Sequence, residues 1–241
     1  MSTQTFDFLI ERLENAIKRQ DTRMRSCVPP TEMLAVTIRD GGGSISVFVI
    51  YIVRLVWNSL WDLLKDEFLP QLTEDKWREI ANGFQASGSM NLNYKGYFSI
   101  VLMAVADADY KFTYVDIRAY GKDCDSSVFQ ETHFFKLMIK NQLQIPTSCP
   151  LNESDSEHFP FVLVGDEAFG LSEHLMRPYA GHNLNAKKRI FNYRLCRARR
   201  YVYCLAPSLP ARWRILQKRI DIHHIFVPQV ISACCVLHNF V

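Results

Sequence analysis

The stretch Phe159-Pro-Phe-Val-Leu-Val-Gly-Asp166 limits what this chain can fold into more than any other. Phe159, Phe161, Val162, Leu163 and Val164 form an apolar run without polar alternation, which suits a strand buried on both faces. Gly165 lets another backbone come close, and Asp166 then stands at the carboxyl end of the strand. Open α/β sheets gather their chemistry at that end, so Asp166 is a candidate catalytic acid. The plainer reading of the same residues is a strand that ends in a solvated turn acid.

A chain of 241 residues, 48% of them hydrophobic, can bury one large domain or one domain with a small companion. The first twenty residues carry charge throughout and lack the apolar core of a secretory signal, so none is expected. The seven cysteines form no Cys-x-x-Cys pair, and reduced thiols in an intracellular compartment are the expectation. The longest apolar run, Ile45 to Val53, is too short to span a bilayer, and no membrane partner is expected.

The net charge of +3 conceals a strong asymmetry. Residues 186–220 hold Lys187, Lys188, Arg189, Arg194, Arg197, Arg199, Arg200, Arg212, Arg214, Lys218 and Arg219 without one acid. Eleven of the 28 basic residues thus fall there, leaving 17 against all 25 acids elsewhere. Such a block points to a polyanion, nucleic acid first, with a merely solvated helix face as the alternative.

Periodicity predicts helices over residues 6–20, from Thr31, from about Tyr51 to Phe68, and from Thr73 as a cap. The second helix should stop at Asp40-Gly-Gly-Gly-Ser44. Residues 81–93 read as loop, Tyr97 to Ala106 as a buried strand, and Phe112 to Ile117 as its return. One helix is expected from about Asp125 to Asn141, and a polar loop over 152–158. Another helix runs from Asn185 to Leu205, with Phe191, Leu195, Ala198 and Val202 on one face and Arg189, Cys196, Arg200 and Tyr203 on another. Ala206-Pro-Ser-Leu-Pro210 should end it, and Pro228 should open a buried final helix.

Asp125 at a helix start and Asp166 at a strand end are candidates for a carboxylate metal site, although Asp125 also reads as an ordinary N-cap. Cys234, Cys235 and His238 have helical spacing that invites zinc. Without a second Cys/His pair, helix packing is the better account.

Several strings then occur in a fixed order: Asn93-Tyr-Lys-Gly-Tyr-Phe-Ser99, Gly121-x-x-x-Asp125, Leu163-Val-Gly-Asp166, Phe191-Asn192, Arg197-Ala-Arg-Arg200 and Ala233-Cys-Cys-Val-Leu-His-Asn239. Together they resemble the PIF/Harbinger-type transposases and the nucleases derived from them, DDE-superfamily endonucleases with an RNase H-like fold. The likeness covers residues 93–241, and residues 6–40 resemble the family's N-terminal helical region. It implies an α/β chain: an RNase H-like mixed sheet flanked by helices over 81–241, and a degraded helix-turn-helix over 1–80. It implies Asp125 and Asp166 as catalytic and metal-binding acids, with Mg²⁺ or Mn²⁺ as the ion. The DNA-binding residues would be Lys187, Lys188, Arg189, Arg194, Arg197, Arg200, Arg212 and Arg214. DNA is the implied partner, with a Myb-like protein beside it, and the nucleus the implied location, the cytoplasm being the other compartment.

The sequence departs from the family pattern in two decisive places. The family's Asp-Gly-x-His segment is missing between Gly83-Phe84 and Asn93, and Tyr203 stands where the last catalytic Glu belongs. The missing segment implies a lost central strand, which would join the Tyr97–Ala106 strand to the Leu163 strand or leave both edges open. Two carboxylates set −2 against the +4 of two divalent ions, enough for one weakly held ion. The expectation is therefore a metal-dependent endonuclease impaired in catalysis. A non-catalytic DNA- or protein-binding derivative and a decayed or mis-spliced product are the alternatives.

Overall fold

The computed structural model describes residues 1–20, 27–40, 47–69, 71–86, 100–120, 124–150, 156–217 and 224–241. The glycine run after Asp40, the Asn93–Ser99 string, the turn at 121–123, residues 152–155 of the polar loop, and Lys218 and Arg219 lie outside them. In chain order, α1 spans Thr3–Ile17, α2 Pro30–Asp40, α3 Val47–Phe68 and α4 Glu74–Ala86. Strands β1 (Ile100–Ala106) and β2 (Phe112–Tyr120) precede α5 (Asp125–Glu131) and α6 (His133–Ile139). Short strands β3 (Cys149–Pro150), β4 (His158–Phe159), β5 (Leu163–Val164) and β6 (Leu175–Met176) lead to α7 (Ala186–Arg212) and α8 (Val227–Phe240).

The chain divides into two compact units, one of residues 1–69 with 206–241 and one of residues 70–205. In the first, α3 packs on α8, and α1 and α2 pack on α3. The 3.6-residue period explains the contacts: α1 buries Leu9, Leu13 and Ile17 completely, and α3 buries Val56, Trp57, Leu60 and Leu64. From α8, Val230, Ala233, Cys234 and Leu237 fill the same core. Phe240 stacks on Phe8 and meets Phe68 edge-on, while Asn239 donates to the Phe68 carbonyl at 2.6 Å, satisfying a group left over at the end of α3. Both thiols of the Cys234–Cys235 pair are fully enclosed, and burial pushes each up from its ordinary pKa. Packing, the reading preferred from the sequence, accounts for their place.

In the second unit Trp77, Ile80, Phe129, Phe134, Met138, Leu143 and Leu175 form the core, with Met103, Val105, Leu163 and Phe169 packed against it. Thr73 accepts from the Lys76 amide at 3.3 Å and so caps α4, as expected. β1 and β2 form an antiparallel hairpin whose turn acid, Asp107, accepts from the amides of Asp109 and Lys111.

Several expectations need correction. Helix α4 continues through Ala86, where loop was read from Ala81. The single helix expected over 125–141 is two helices broken at Thr132, which lies at φ −64° and ψ 150°. Its hydroxyl accepts from the Phe135 amide at 3.0 Å and gives α6 a new start, the competition with the helical backbone that threonine offers. Helix α7 does not stop at Ala206 but passes Pro207 and Pro210 to Arg212. Each proline costs the helix a donor, and the burial of Leu209 and Trp213 offsets that loss. The apolar stripe of α7 includes Leu195 as read but turns through Tyr201 and Leu205, while Val202 is exposed.

The run from Phe159 to Val164 is not one strand buried on both faces. Pro160 divides it: His158–Phe159 pairs with β3, and Leu163–Val164 pairs in parallel with β6. Phe159 is exposed and residues 161–164 are half-buried. The chain is a mixed α/β protein as expected. Among the described residues its strands form three two-stranded sheets, with β1 paired to β2 and β5 to β6.

Candidate active site

The site begins with the parallel pair β5–β6. The Leu163 amide donates to His174 and the Gly165 amide to Met176, which fixes where the chain leaves β5. The turn after it closes with a bond from the Phe169 amide to the Asp166 carbonyl. Arg177, just past β6, donates to the carbonyls of Glu167 and Phe169 and pins the turn from the other side. Space is tight at Gly165. A Cβ would lie 2.9 Å from Cδ2 of Phe169 and 3.1 Å from Cδ1 of Leu175. What approaches it is therefore side chain, where the sequence suggested backbone.

Asp166 thus emerges from β5 in a defined direction, and α7 meets it with two side chains. Arg199 places Nη2 2.8 Å from Oδ2 of Asp166, and the hydroxyl of Tyr203 donates to the same oxygen at 2.8 Å. Oδ1 accepts from the Glu167 amide. Arg199 also donates to the Tyr203 hydroxyl, and its guanidinium lies 4.9 Å from that ring's centroid. Residues four apart share a helix face, so one turn of α7 delivers both groups. The Arg199 side chain is only 11% exposed while that of Asp166 is 46% exposed. The cation is held inside and the carboxylate faces outward. Burial first, and then the bond to Asp166, raises the Tyr203 phenol above its ordinary pKa.

Asp125 is the exposed first residue of α5, preceded by Cys124 as the N-cap residue, so it is not itself the cap. Its charge lies at the positive end of that helix. A divalent ion needs oxygen ligands with free lone pairs. Oδ2 of Asp166 already carries a guanidinium and a hydroxyl. Among the described residues no group of three or more His, Cys, Asp or Glu side chains is arranged to hold a metal. These residues as placed do not fit a resident metal ion. They form instead a carboxylate–guanidinium–phenol cluster, which can hold charge and fix β5 to α7.

Arg199 and Arg177 are the residues that sequence reasoning missed as parts of this site. The spacing of Arg199 and Tyr203 was the available signal for the first; Arg177 offered none.

The eight candidate DNA-binding residues fall into two groups. Lys187, Lys188, Arg189, Arg194 and Arg197 are exposed on α7, while Arg200 is half-buried. Asn185 accepts from the Lys188 amide and caps the helix, and Asn192 bonds both the amide and the carbonyl of Tyr179, fixing the incoming chain. Arg212 and Arg214 belong to the other unit, where Arg212 donates to the His238 carbonyl at 3.3 Å. No helix among the described residues is long and apolar enough to cross a membrane.

Comparison with known proteins gives this geometry a context. A family model described as DDE superfamily endonuclease matches residues 79–239, more than half of the chain. Protein ALP1-like of Arabidopsis thaliana is 29% identical over 160 residues, covering 65% of this chain and 38% of its own length. The chain therefore spans well under half of that relative. No solved structure matches.

Proposed function

Since the chain belongs to the DDE superfamily endonucleases, we propose that it is a transposase-derived nuclease relative that binds DNA through α7 and is impaired in phosphodiester hydrolysis. One observation carries the reading: Oδ2 of Asp166 is taken by Arg199 and Tyr203. Hydrolysis by two divalent ions needs several carboxylates to clamp the attacking and leaving oxygens. Here the strand-end acid faces a cation of the protein's own, and the position of the last family Glu supplies a hydroxyl donor. A neutral phenol brings a divalent ion none of the negative charge that a carboxylate does. An RNase H-like ancestry reduced by the missing Asp-Gly-x-His segment belongs to the same reading. So do a nuclear site of action and a Myb-like partner.

The binding half rests on charge. Lys187, Lys188, Arg189, Arg194 and Arg197 are exposed on one helix with no acid among residues 186–220. Counterion release makes such binding fall steeply with salt. A supercoiled plasmid incubated with Mg²⁺ or Mn²⁺ should stay intact with the wild type and with Asp166→Asn. Duplex DNA should be retained at low salt, and retained less by Arg194→Ala/Arg197→Ala. Nicking by the wild type that disappears in Asp166→Asn would overturn the hydrolytic half. Duplex affinity without a salt slope would overturn the binding half.

A further inference from the structure

We propose that the exposed face of α7 takes unpaired nucleic acid, with Tyr193 as a platform on which a base stacks. The inference rests on the DNA-binding reading above and names the form of nucleic acid that the surface suits best. Ile190, Tyr193 and Arg197 follow one another at i, i+3 and i+7, so they form a single row along the helix. Ile190 is 55% exposed and Tyr193 58% exposed. The neighbours of this row at i−4 and i+4 are Arg189, beside Tyr193, and Arg194, beside Ile190. Both are exposed. The surface is thus an apolar and aromatic centre with cations on either side.

Each part has a separate chemical meaning. Cations alone suit any phosphate backbone and do not distinguish paired from unpaired strands. An exposed phenol ring with an aliphatic neighbour gains nothing from a duplex, whose bases are already stacked and face inward. Splayed bases present π-faces to such a ring, and sequence-tolerant binding of single strands is built from this combination. Arg197, with its guanidinium 6.0 Å from the Tyr193 ring centroid, lies near enough to hold the phosphate that follows a stacked base.

The test compares oligodeoxythymidine with a duplex of equal length, at low and physiological salt, for the wild type, Tyr193→Ala, Tyr193→Phe and Arg197→Ala. The single strand should bind more tightly than the duplex. Tyr193→Ala should weaken single-strand binding by about tenfold and leave duplex binding unchanged, as loss of one stacked base predicts. Tyr193→Phe should bind as the wild type does, because the ring and not the hydroxyl makes the contact. Arg197→Ala should weaken both forms and flatten the salt dependence of both. Equal effects of Tyr193→Ala on both forms, or a Phe variant as weak as Ala, would overturn the stacking proposal while the DNA-binding reading stands. Absence of binding to either form at low salt would overturn both. Unchanged circular dichroism and melting of the exposed-site variants shows that each outcome concerns the surface.

Discussion

The hydroxyl of Tyr203 donates to Oδ2 of Asp166 at 2.8 Å, joining α7 to the end of β5 across 37 residues of sequence. Arg199 reaches the same oxygen from one turn earlier on the helix. The cluster is balanced: one negative charge, one positive charge and one neutral donor. Every change to one member alters what the other two experience.

Replacing Tyr203 by Glu puts a second carboxylate against Asp166, with one guanidinium to serve both. Like charges at this range raise the pKa of one of the pair. We expect Tyr203→Glu to lower stability by about 1–2 kcal/mol and to give no plasmid nicking. Tyr203→Phe removes only the hydrogen bond and should cost about 1 kcal/mol. Urea melts of the three proteins decide this, and a Glu variant as stable as wild type would contradict the cluster.

Arg199→Met keeps much of the packing and removes the cation. The nearly enclosed guanidinium and the half-exposed carboxylate place the pair between surface and interior cases. We expect a loss of about 1–2 kcal/mol. With Oδ2 released from its counter-charge, Mn²⁺ should bind more tightly than to the wild type, as calorimetric titration would show. An affinity unchanged by the substitution would mean that Arg199 does not compete for this carboxylate.

The phenol of Tyr203 has a raised pKa, chiefly from burial and next from its bond to Asp166. The folded chain then holds that proton more tightly than the unfolded chain does. The stability this contributes is complete below the ordinary tyrosine value of about 10 and is lost as pH rises through the folded value. The difference in phenolate absorbance between wild type and Tyr203→Phe should show a midpoint above that value. In Asp166→Asn the midpoint should fall toward it without reaching it, because burial remains.

Gly165→Ala tests the path of the chain into the site. The new methyl would press on Phe169, which packs edge-on against Phe129 at 5.1 Å, and on the buried Leu175. Overpacking of this kind costs about 1–3 kcal/mol. If the variant melts at the wild-type denaturant concentration, these two side chains have room to yield.

The sequence by itself determined where most helices begin, the β1–β2 hairpin and the family. Apolar spacing along α1, the Thr73 cap and Pro228 at the start of α8 act over a few residues, so composition and period are enough to read them. The family strings were legible for the same reason, each being local and their order linear. It also led to Asp166 as the acid at the end of a strand, and the family resemblance pointed to Tyr203 as standing where an acid is expected. Tertiary structure decided what those two residues do. Whether Asp166 meets a metal, a solvent or a guanidinium depends on which turn of α7 faces β5. The same holds for the passage of α7 through two prolines. Local preference there was outweighed by buried side chains, whereas the break at Thr132 is itself local, a hydroxyl competing for the backbone. Arg199 looked like one cation among eleven because charge can be counted in a sequence, whereas its partner is fixed only when the helix is laid against the strand.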